Sequence, residues 1–172
     1  MKVNIVEREV MDPLAEPEGM KLILNNIPSQ IRAISLFDNT KPGADVILET
    51  IASKLNNLKI INSEKPAGAP ASKYQLKKAT EGDVSILALG DCGSCTTWVI
   101  LDAIRLEKKG IPTISICSDK FSSFARNLAQ AHGAKDLRII EISHPLSGKK
   151  AEEVEEKTFK IIPELKKILF NS

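Results

Sequence analysis

The sequence predicts an α/β domain built on a single doubly wound, parallel five-stranded sheet. Two observations carry this. From about residue 32, short apolar runs alternate with segments whose apolar residues recur at helical spacing. At 172 residues, the chain is also long enough for one domain with a core of useful size, or one domain with an arm. Strands that alternate with helices call for right-handed crossovers and parallel pairing. Five such units fit a flavodoxin-like arrangement with strand order 2-1-3-4-5.

The elements follow in order. Ala33 to Phe37 is a short apolar run ending at Asp38, the first strand. Ala44, Ile47, Ile51 and Leu55 follow at helical spacing. Leu58 to Ile61 reads as the second strand. Lys65 to Ser72, rich in Pro, Gly and Ala, reads as a loop, and Tyr74 to Thr80 as a short helix. Val84 to Leu89 is the clearest strand of the chain and ends at Gly90. Thr97 to Lys109 is helical, with Gly110 as its stop. Pro112 to Ser118 is the fourth strand, Phe121 to Ala131 a helix closed near Gly133, and Leu137 to Ile142 the fifth strand. The last helix runs from Ala151 to Phe170, and Pro163 is expected to kink or break it. Residues 1–30 stand outside the pattern. Pro13, Pro17 and Pro28 break them up, so they are read as an N-terminal arm packing on the domain (residues 31–172) or on a partner.

Composition excludes several classes. Lys plus Arg is 24 and Asp plus Glu is 22, a net charge of +2, too balanced for a protein built to hold nucleic acid by counterion release. Aromatic residues are only 4%, which argues against a base-stacking platform. No apolar run approaches the ~20 residues needed to cross a bilayer. Met1 to Pro13 carries Glu7, Glu9 and Asp12 and lacks a signal peptide's apolar core, so a cytoplasmic location is expected. Three cysteines form no disulfide framework.

In an open parallel sheet, ligands bind beyond the carboxyl ends of the strands, at the point where strand order reverses. With order 2-1-3-4-5 that point lies between the first and third strands. The segments Asp38-Asn39-Thr40-Lys41-Pro42, Gly90-Asp91-Cys92-Gly93-Ser94-Cys95, Ser118-Asp119 and Ser143-His144-Pro145 should meet there, with the 65–72 loop beside them.

Cys92 is the centre of this set. It follows a buried strand and precedes a helix, whose N-terminus offers free N–H groups and about half a positive charge. Both favour thiolate over thiol. Cys95 lies one helical turn further, placed to resolve a bond formed at Cys92. Gly93 would let the turn be tight and Ser94 would cap the helix. The alternative is two buried cysteines acting as small apolar residues. A zinc site would need further ligands, and only Cys117, His132 and His144 offer themselves. His132 falls on the far side of the expected topology and Cys117 within an apolar strand, so no metal is assigned.

Of the remaining residues, Asp38 and Lys41 flank the first strand's end. Lys41 would stabilise a thiolate or an anionic substrate and Asp38 would position a donor, or the pair is an Asx turn with a solvated lysine. Thr96 and Thr97 would hold a substrate carboxylate, or simply cap the helix. His144 is a candidate proton donor, or a turn residue before Pro145. Trp98 suits core or pocket wall, and the charges of the last helix suit a solvated face. No phosphate-binding glycine loop is present, and the loop after the first strand lacks a flavin-phosphate Ser/Thr run, so no cofactor is assigned.

The run Ala88-Leu89-Gly90-Asp91-Cys92-Gly93-Ser94-Cys95-Thr96-Thr97-Trp98 resembles the signature of the UGSC family, whose motif opens with selenocysteine in some members and cysteine in others. Leu36-Phe37-Asp38-Asn39-Thr40-Lys41-Pro42, Glu64-Lys65-Pro66, Gly110-Ile111-Pro112-Thr113 and His144-Pro145-Leu146 resemble further blocks of that family, over roughly residues 32 to 170. The motif's setting is also distantly similar to the selenoprotein B subunits of the glycine, sarcosine and betaine reductases. The resemblance implies a nucleophilic chalcogen in reductase-type chemistry, with Cys92 at the selenocysteine position and Cys95 as the motif cysteine. Independently of the resemblance, Asp38, Asn39, Thr40, Lys41, Asp91, Gly93, Ser94, Thr96 and Thr97, on the segments that meet at the strand ends, are read as the substrate-binding set.

The leading expectation is a thiol-dependent reductase or reductive lyase acting on a small electrophilic substrate, reset by an external dithiol. Two others stand beside it: a non-redox covalent cysteine hydrolase or lyase, and a subunit or binding module that needs a partner protein to complete the site. A homodimer is the expected assembly, with neither nucleic acid nor membrane as partner.

Overall fold

The computed structural model describes residues 21–170. In chain order the elements are β1 (Ala33–Asp38), α1 (Ala44–Lys54), β2 (Lys59–Glu64), α2 (Lys73–Ala79), β3 (Val84–Gly90), α3 (Gly93–Glu107), β4 (Thr113–Ser118), α4 (Asp119–Ala131), β5 (Ile139–Ile142) and α5 (Ala151–Phe170). The five strands form one parallel sheet in the order β2-β1-β3-β4-β5. This is the expected flavodoxin-like topology.

Each face of the sheet has its own core. Ile34, Leu36, Ile86 and Ile114 meet α1 and α5 through Ile47, Ile51, Ile161 and Leu165. Phe37, Leu87 and Cys117 meet α2, α3 and α4 through Leu76, Val99, Ile100 and Ala125. Every residue of β3 and β4 is buried, as central strands covered on both faces require. Among the described residues no helix is long and apolar enough to cross a membrane.

Beyond shifts of one or two residues at element ends, three features differ from expectation. β2 runs on through Asn62, Ser63 and Glu64. It is an edge strand, so alternate side chains face solvent and polar residues need not end it. α3 begins at Gly93, four residues earlier than the apolar period suggests, because Cys92 closes its first turn. Pro163 does not break α5. It lies on the exposed face, where water can meet the carbonyl it frees, while Val154, Thr158, Ile161, Leu165 and Leu169 anchor both halves of the helix. Gly110 and Gly133 do take positive φ, 87° and 76°, just past α3 and α4.

Of the expected N-terminal arm, residues 21–30 pack on the domain, and residues 1–20 lie outside the described residues. Leu22 and Leu24 pack against the α2–α3–α4 core and Ile27 is buried in the other. The segment therefore passes from one face to the other. Asn25 fixes it: its N–H and Nδ2 donate to Glu107 Oε2, both at 2.8 Å, and its carbonyl accepts from Arg138 Nη2 at 2.6 Å.

Candidate functional site

β3 delivers the chain to the site through an irregular end. Its pairing with β4 shifts register between Ala88 and Gly90, and Gly90 is required there. A Cβ on it would lie 2.6 Å from Cys117 Sγ and 3.0 Å from Thr96 Oγ1. Cys92 follows in extended conformation (φ −162°, ψ 169°) as the N-cap of α3, with Sγ accepting from the Cys95 N–H at 3.4 Å. The sulfur thus takes the place of the usual cap oxygen. Ser94, expected as the cap, sits in the first turn instead, with its hydroxyl 3.7 Å from Cys92 Sγ. Gly93 has no positive φ, and a Cβ there would meet nothing within 4 Å, so it is not required by a tight turn.

The two motif thiols are pushed in opposite directions. At Cys92, burial is the largest influence and raises the pKa. The Cys95 thiol and N–H, the Ser94 hydroxyl and the Lys41 charge outweigh it and bring the thiol below its ordinary value. Cys95 is pushed up to about 11 by burial, and then by Cys92 beside it. Burial pushes Cys117, inside β4, up to about 12. Cys92 is half-buried, while Cys95 and Cys117 are buried. All three are free thiols.

The loop after β1 has largely backbone-holding side chains. Asp38 Oδ1 accepts from the Thr40 N–H, an Asx turn, and its carboxyl is raised, first by burial and then by the charges of Asp45, Glu64 and Glu49 around one cleft. Asn39 is buried. Its Nδ2 donates to Leu89 O at 2.9 Å and its Oδ1 accepts from Leu89 N at 2.8 Å, so one amide satisfies β3 where the ladder slips. Thr40 Oγ1 donates to Lys65 O and accepts from Ala67 N–H, which ties this loop to the next. The Asn39 amide and Thr40 hydroxyl are therefore engaged with backbone rather than presented to a substrate, contrary to the sequence expectation. Lys41 differs: its ammonium acts on Cys92 and makes no hydrogen bond or ion pair among the described residues.

Asp91 departs from expectation in the same way. It is buried, and its Oδ2 accepts from the N–H groups of Leu146 (3.2 Å) and Ser147 (3.0 Å). Its Oδ1 lies 2.8 Å from His144 Nδ1. Burial pushes the carboxyl up, but the N–H of Ser147, the Ser118 hydroxyl, His144 and the N–H of Leu146 hold it below the usual carboxylate range. An ionised carboxylate only accepts, so His144 donates to Asp91 from Nδ1. Asp91 thus holds the β5–α5 loop and orients His144. Thr96 is fully buried with its hydroxyl unpartnered, packed toward Gly90 and Cys117, and Thr97 Oγ1 donates back to Gly93 O at 2.9 Å. Neither hydroxyl is free for a substrate carboxylate. Trp98 is half-buried on α3.

One cluster escaped sequence reasoning. Lys65, only 2% exposed, puts Nζ 2.8 Å from Asp102 Oδ2 and donates to Ala69 O at 2.7 Å. Asp102 also accepts from Arg105 Nη1 at 2.9 Å and from the Ala71 N–H. Burial lowers the Lys65 ammonium's pKa, while Asp102 and then Cys95 favour its charge. This pair straps the 65–71 loop to α3, and a Cβ on Gly68 would lie 3.6 Å from Ser94 Oγ, so the strapped loop reaches the cysteine motif. The signal was a lone Asp among the apolar residues Val99, Ile100, Ala103 and Ile104. Among the described residues no group of three or more His, Cys, Asp or Glu is placed to hold a metal ion.

Comparison with known proteins adds the family. A short-chain flavodoxin associated with a non-canonical PDU bacterial microcompartment is similar in structure, with 12% identity, a TM-score of 0.43, and coverage of 80% of this chain and 97% of that one. No curated protein matches. The family model that does match spans residues 9–171, which takes in all four polar segments at the strand ends, and by that match the chain belongs to the UGSC family.

Proposed function

We propose that the chain is a thiol-dependent enzyme of the reductase or reductive-lyase type, with Cys92 as nucleophile and Cys95 as resolving thiol. The observation that carries this is the divergence of the two thiols. Cys92, capping α3 beside Lys41, is held below the ordinary thiol value, while Cys95 is held up at about 11. The nucleophile is exposed in part and shifted toward its thiolate, and Cys92 beside it helps to hold the resolver protonated.

The electrons balance as follows. Cys92 Sγ bonds to an electrophilic atom of the substrate, and that atom's bond to its leaving group breaks with the electron pair, which takes a proton. The negative charge on Cys92 is then gone, and with it one of the two influences holding Cys95 up. The Cys95 thiolate attacks Cys92 Sγ, the S–S bond forms, and the substrate atom departs with its electron pair and a second proton. Two thiols become a disulfide and the substrate is reduced by two electrons. His144 Nε2, oriented by Asp91, is the group to pass the protons. An external dithiol restores the pair.

The test is the alkylation rate of each cysteine against pH in the fully reduced protein, read by peptide mass spectrometry. Cys92 should react with a midpoint below the ordinary ~8.5, and Cys95 far more slowly. A Cys92 as slow as Cys95 at neutral pH overturns the reading. The Asp91–His144 pair favours a second reading, a covalent cysteine hydrolase in which His144 is the general base and Cys95 a bystander. Cys95→Ser separates the two, because it stalls a redox cycle and leaves hydrolysis standing.

A further inference from the structure

Reducing a Cys92–Cys95 disulfide back to two thiols requires electrons from outside the chain. The one remaining cysteine, Cys117, is fully buried in β4 with its thiol pushed up to about 12, and no other thiol exists to reduce the pair. A second feature bears on where those electrons enter. A groove of about 810 Å³ runs between α2 and α3, lined by Lys73, Lys77, Arg105, Lys108 and Lys109 around Leu76. No carboxylate and no aromatic ring lines it. The four lysines are exposed, and none of their ammonium groups makes a hydrogen bond or ion pair among the described residues. In a chain whose net charge is only +2, four unpaired lysines on one groove, beside an Arg105 that is already paired with Asp102, are a local excess of positive potential.

We propose that this groove is the docking surface for an acidic dithiol protein that reduces the Cys92–Cys95 disulfide. The proposal rests on the thiol-enzyme reading above. The geometry favours it in two ways. α3 carries Cys92 at its start and Arg105, Lys108 and Lys109 at its end, and its 15 residues span roughly 22 Å. A standard interface of about 800 Å² per partner is wide enough to cover both ends. The 65–72 loop links the groove to the site: Arg105 Nη1 donates to Ala71 O at 2.9 Å, and Gly68 of the same loop lies against Ser94. A protein seated on the groove and extending along α3 would reach the motif, and the absence of aromatic rings in the groove fits an acidic protein surface better than single-stranded nucleic acid. In the step itself, a partner thiolate attacks Cys92 Sγ, the S–S bond breaks, and Cys95 leaves with the electron pair and takes a proton. The partner's second thiolate then attacks the mixed disulfide, leaving the partner oxidised and Cys92 a thiolate.

The experiment compares two reductants on the oxidised full-length chain: a reduced thioredoxin of acidic isoelectric point, and dithiothreitol. The free thiols are counted over time. Lys73→Glu/Lys77→Glu should slow reduction by thioredoxin about tenfold and leave the dithiothreitol rate unchanged. The wild-type thioredoxin rate should fall with added salt. Lys108→Glu/Lys109→Glu, on the other wall of the groove, should act in the same direction and guards against a local misfolding effect in α2. Thioredoxin rates unchanged in both variants overturn the proposal. So does a parallel loss with dithiothreitol, or a single-stranded DNA oligonucleotide that binds wild type but not the variants while thioredoxin rates stay equal. If no Cys92–Cys95 disulfide forms under any oxidant, the thiol-enzyme reading fails first and the docking proposal with it. A disulfide that dithiothreitol reduces normally, with no charge dependence toward thioredoxin, removes the docking surface alone.

Discussion

The loops after β1 and β3 emerge side by side at the same edge of the sheet, and both read as polar clusters of the kind that bind ligands. Their side chains do different work. After β1, the Asp38 carboxylate, the Asn39 amide and the Thr40 hydroxyl are directed at backbone groups of Thr40, Leu89, Lys65 and Ala67. After β3, Asp91 is directed at the β5–α5 loop, but the next residue, Cys92, keeps its sulfur half-exposed at a helix start. A sheet edge is crowded with backbone N–H and C=O groups that leave the ladder, and buried ones must find partners. Polar residues there serve the backbone first. Cys92 also serves the backbone, as the cap of α3, but its sulfur stays partly exposed, and Lys41 from the first loop lends it its charge.

That contrast can be broken or sharpened by substitution. The largest effect should come from the strap that holds the third loop of this edge. Lys65→Met leaves Asp102 buried without its closest cation and should lower stability by about 3–5 kcal/mol in urea unfolding. A loss below ~1 kcal/mol would mean that Arg105 alone suffices to hold Asp102. Next comes Asn39→Leu, which strands the Leu89 N–H and carbonyl in a dry setting and should cost about 2–4 kcal/mol. If Asn39→Leu instead left stability intact and slowed a substrate reaction, the division between the two loops would be wrong.

Asp91→Asn should cost about 1.5–3 kcal/mol at neutral pH, and its pH dependence carries a sign. The folded carboxyl titrates below its unfolded value. Its stabilisation is therefore complete above the unfolded pKa of ~3.9 and is lost as the pH falls through the lower folded value. The stability curves of wild type and Asp91→Asn should converge only in strong acid, and convergence already at pH 6 would contradict the depressed carboxyl. The smallest effect is electrostatic. Lys41→Met should slow Cys92 alkylation at neutral pH about 2- to 5-fold, in keeping with 0.2–1 kcal/mol for a partly exposed charge, with no change in Tm.

Much of this molecule was legible before its structure. The alternation of parallel strands and helices, the cysteine motif at the end of β3 and the loop over residues 65–72 follow from apolar period and from Gly and Pro placement, whereas the strand order rested on fold precedent, since no local pattern encodes which strands pair. The start of α3 was read four residues late because Cys92-Gly93-Ser94-Cys95 carries no apolar period, and a sulfur cap leaves no signature in the alternation of residue types. Pro163 was expected to kink or break its helix, and the helix is not broken; sequence shows the missing N–H but not that Pro163 lies on the exposed face. The roles of Asn39, Asp91 and Lys65 were not legible, since each depends on a partner far along the chain: Leu89 is 50 residues from Asn39, and His144 is 53 from Asp91.

By itself, then, the sequence determined where the cysteine motif sits. Period and chain adjacency are local properties, and they place Cys92 between a buried strand and a helix, with Cys95 one turn on. Only the tertiary structure decided which polar groups the backbone engages and how the two motif thiols are pushed apart in pKa. Hydrogen-bond satisfaction and the electrostatic field at a sulfur are sums over neighbours that folding brings together, among them Lys41 beside Cys92, Lys65 beside Asp102, and the β5–α5 loop held on Asp91.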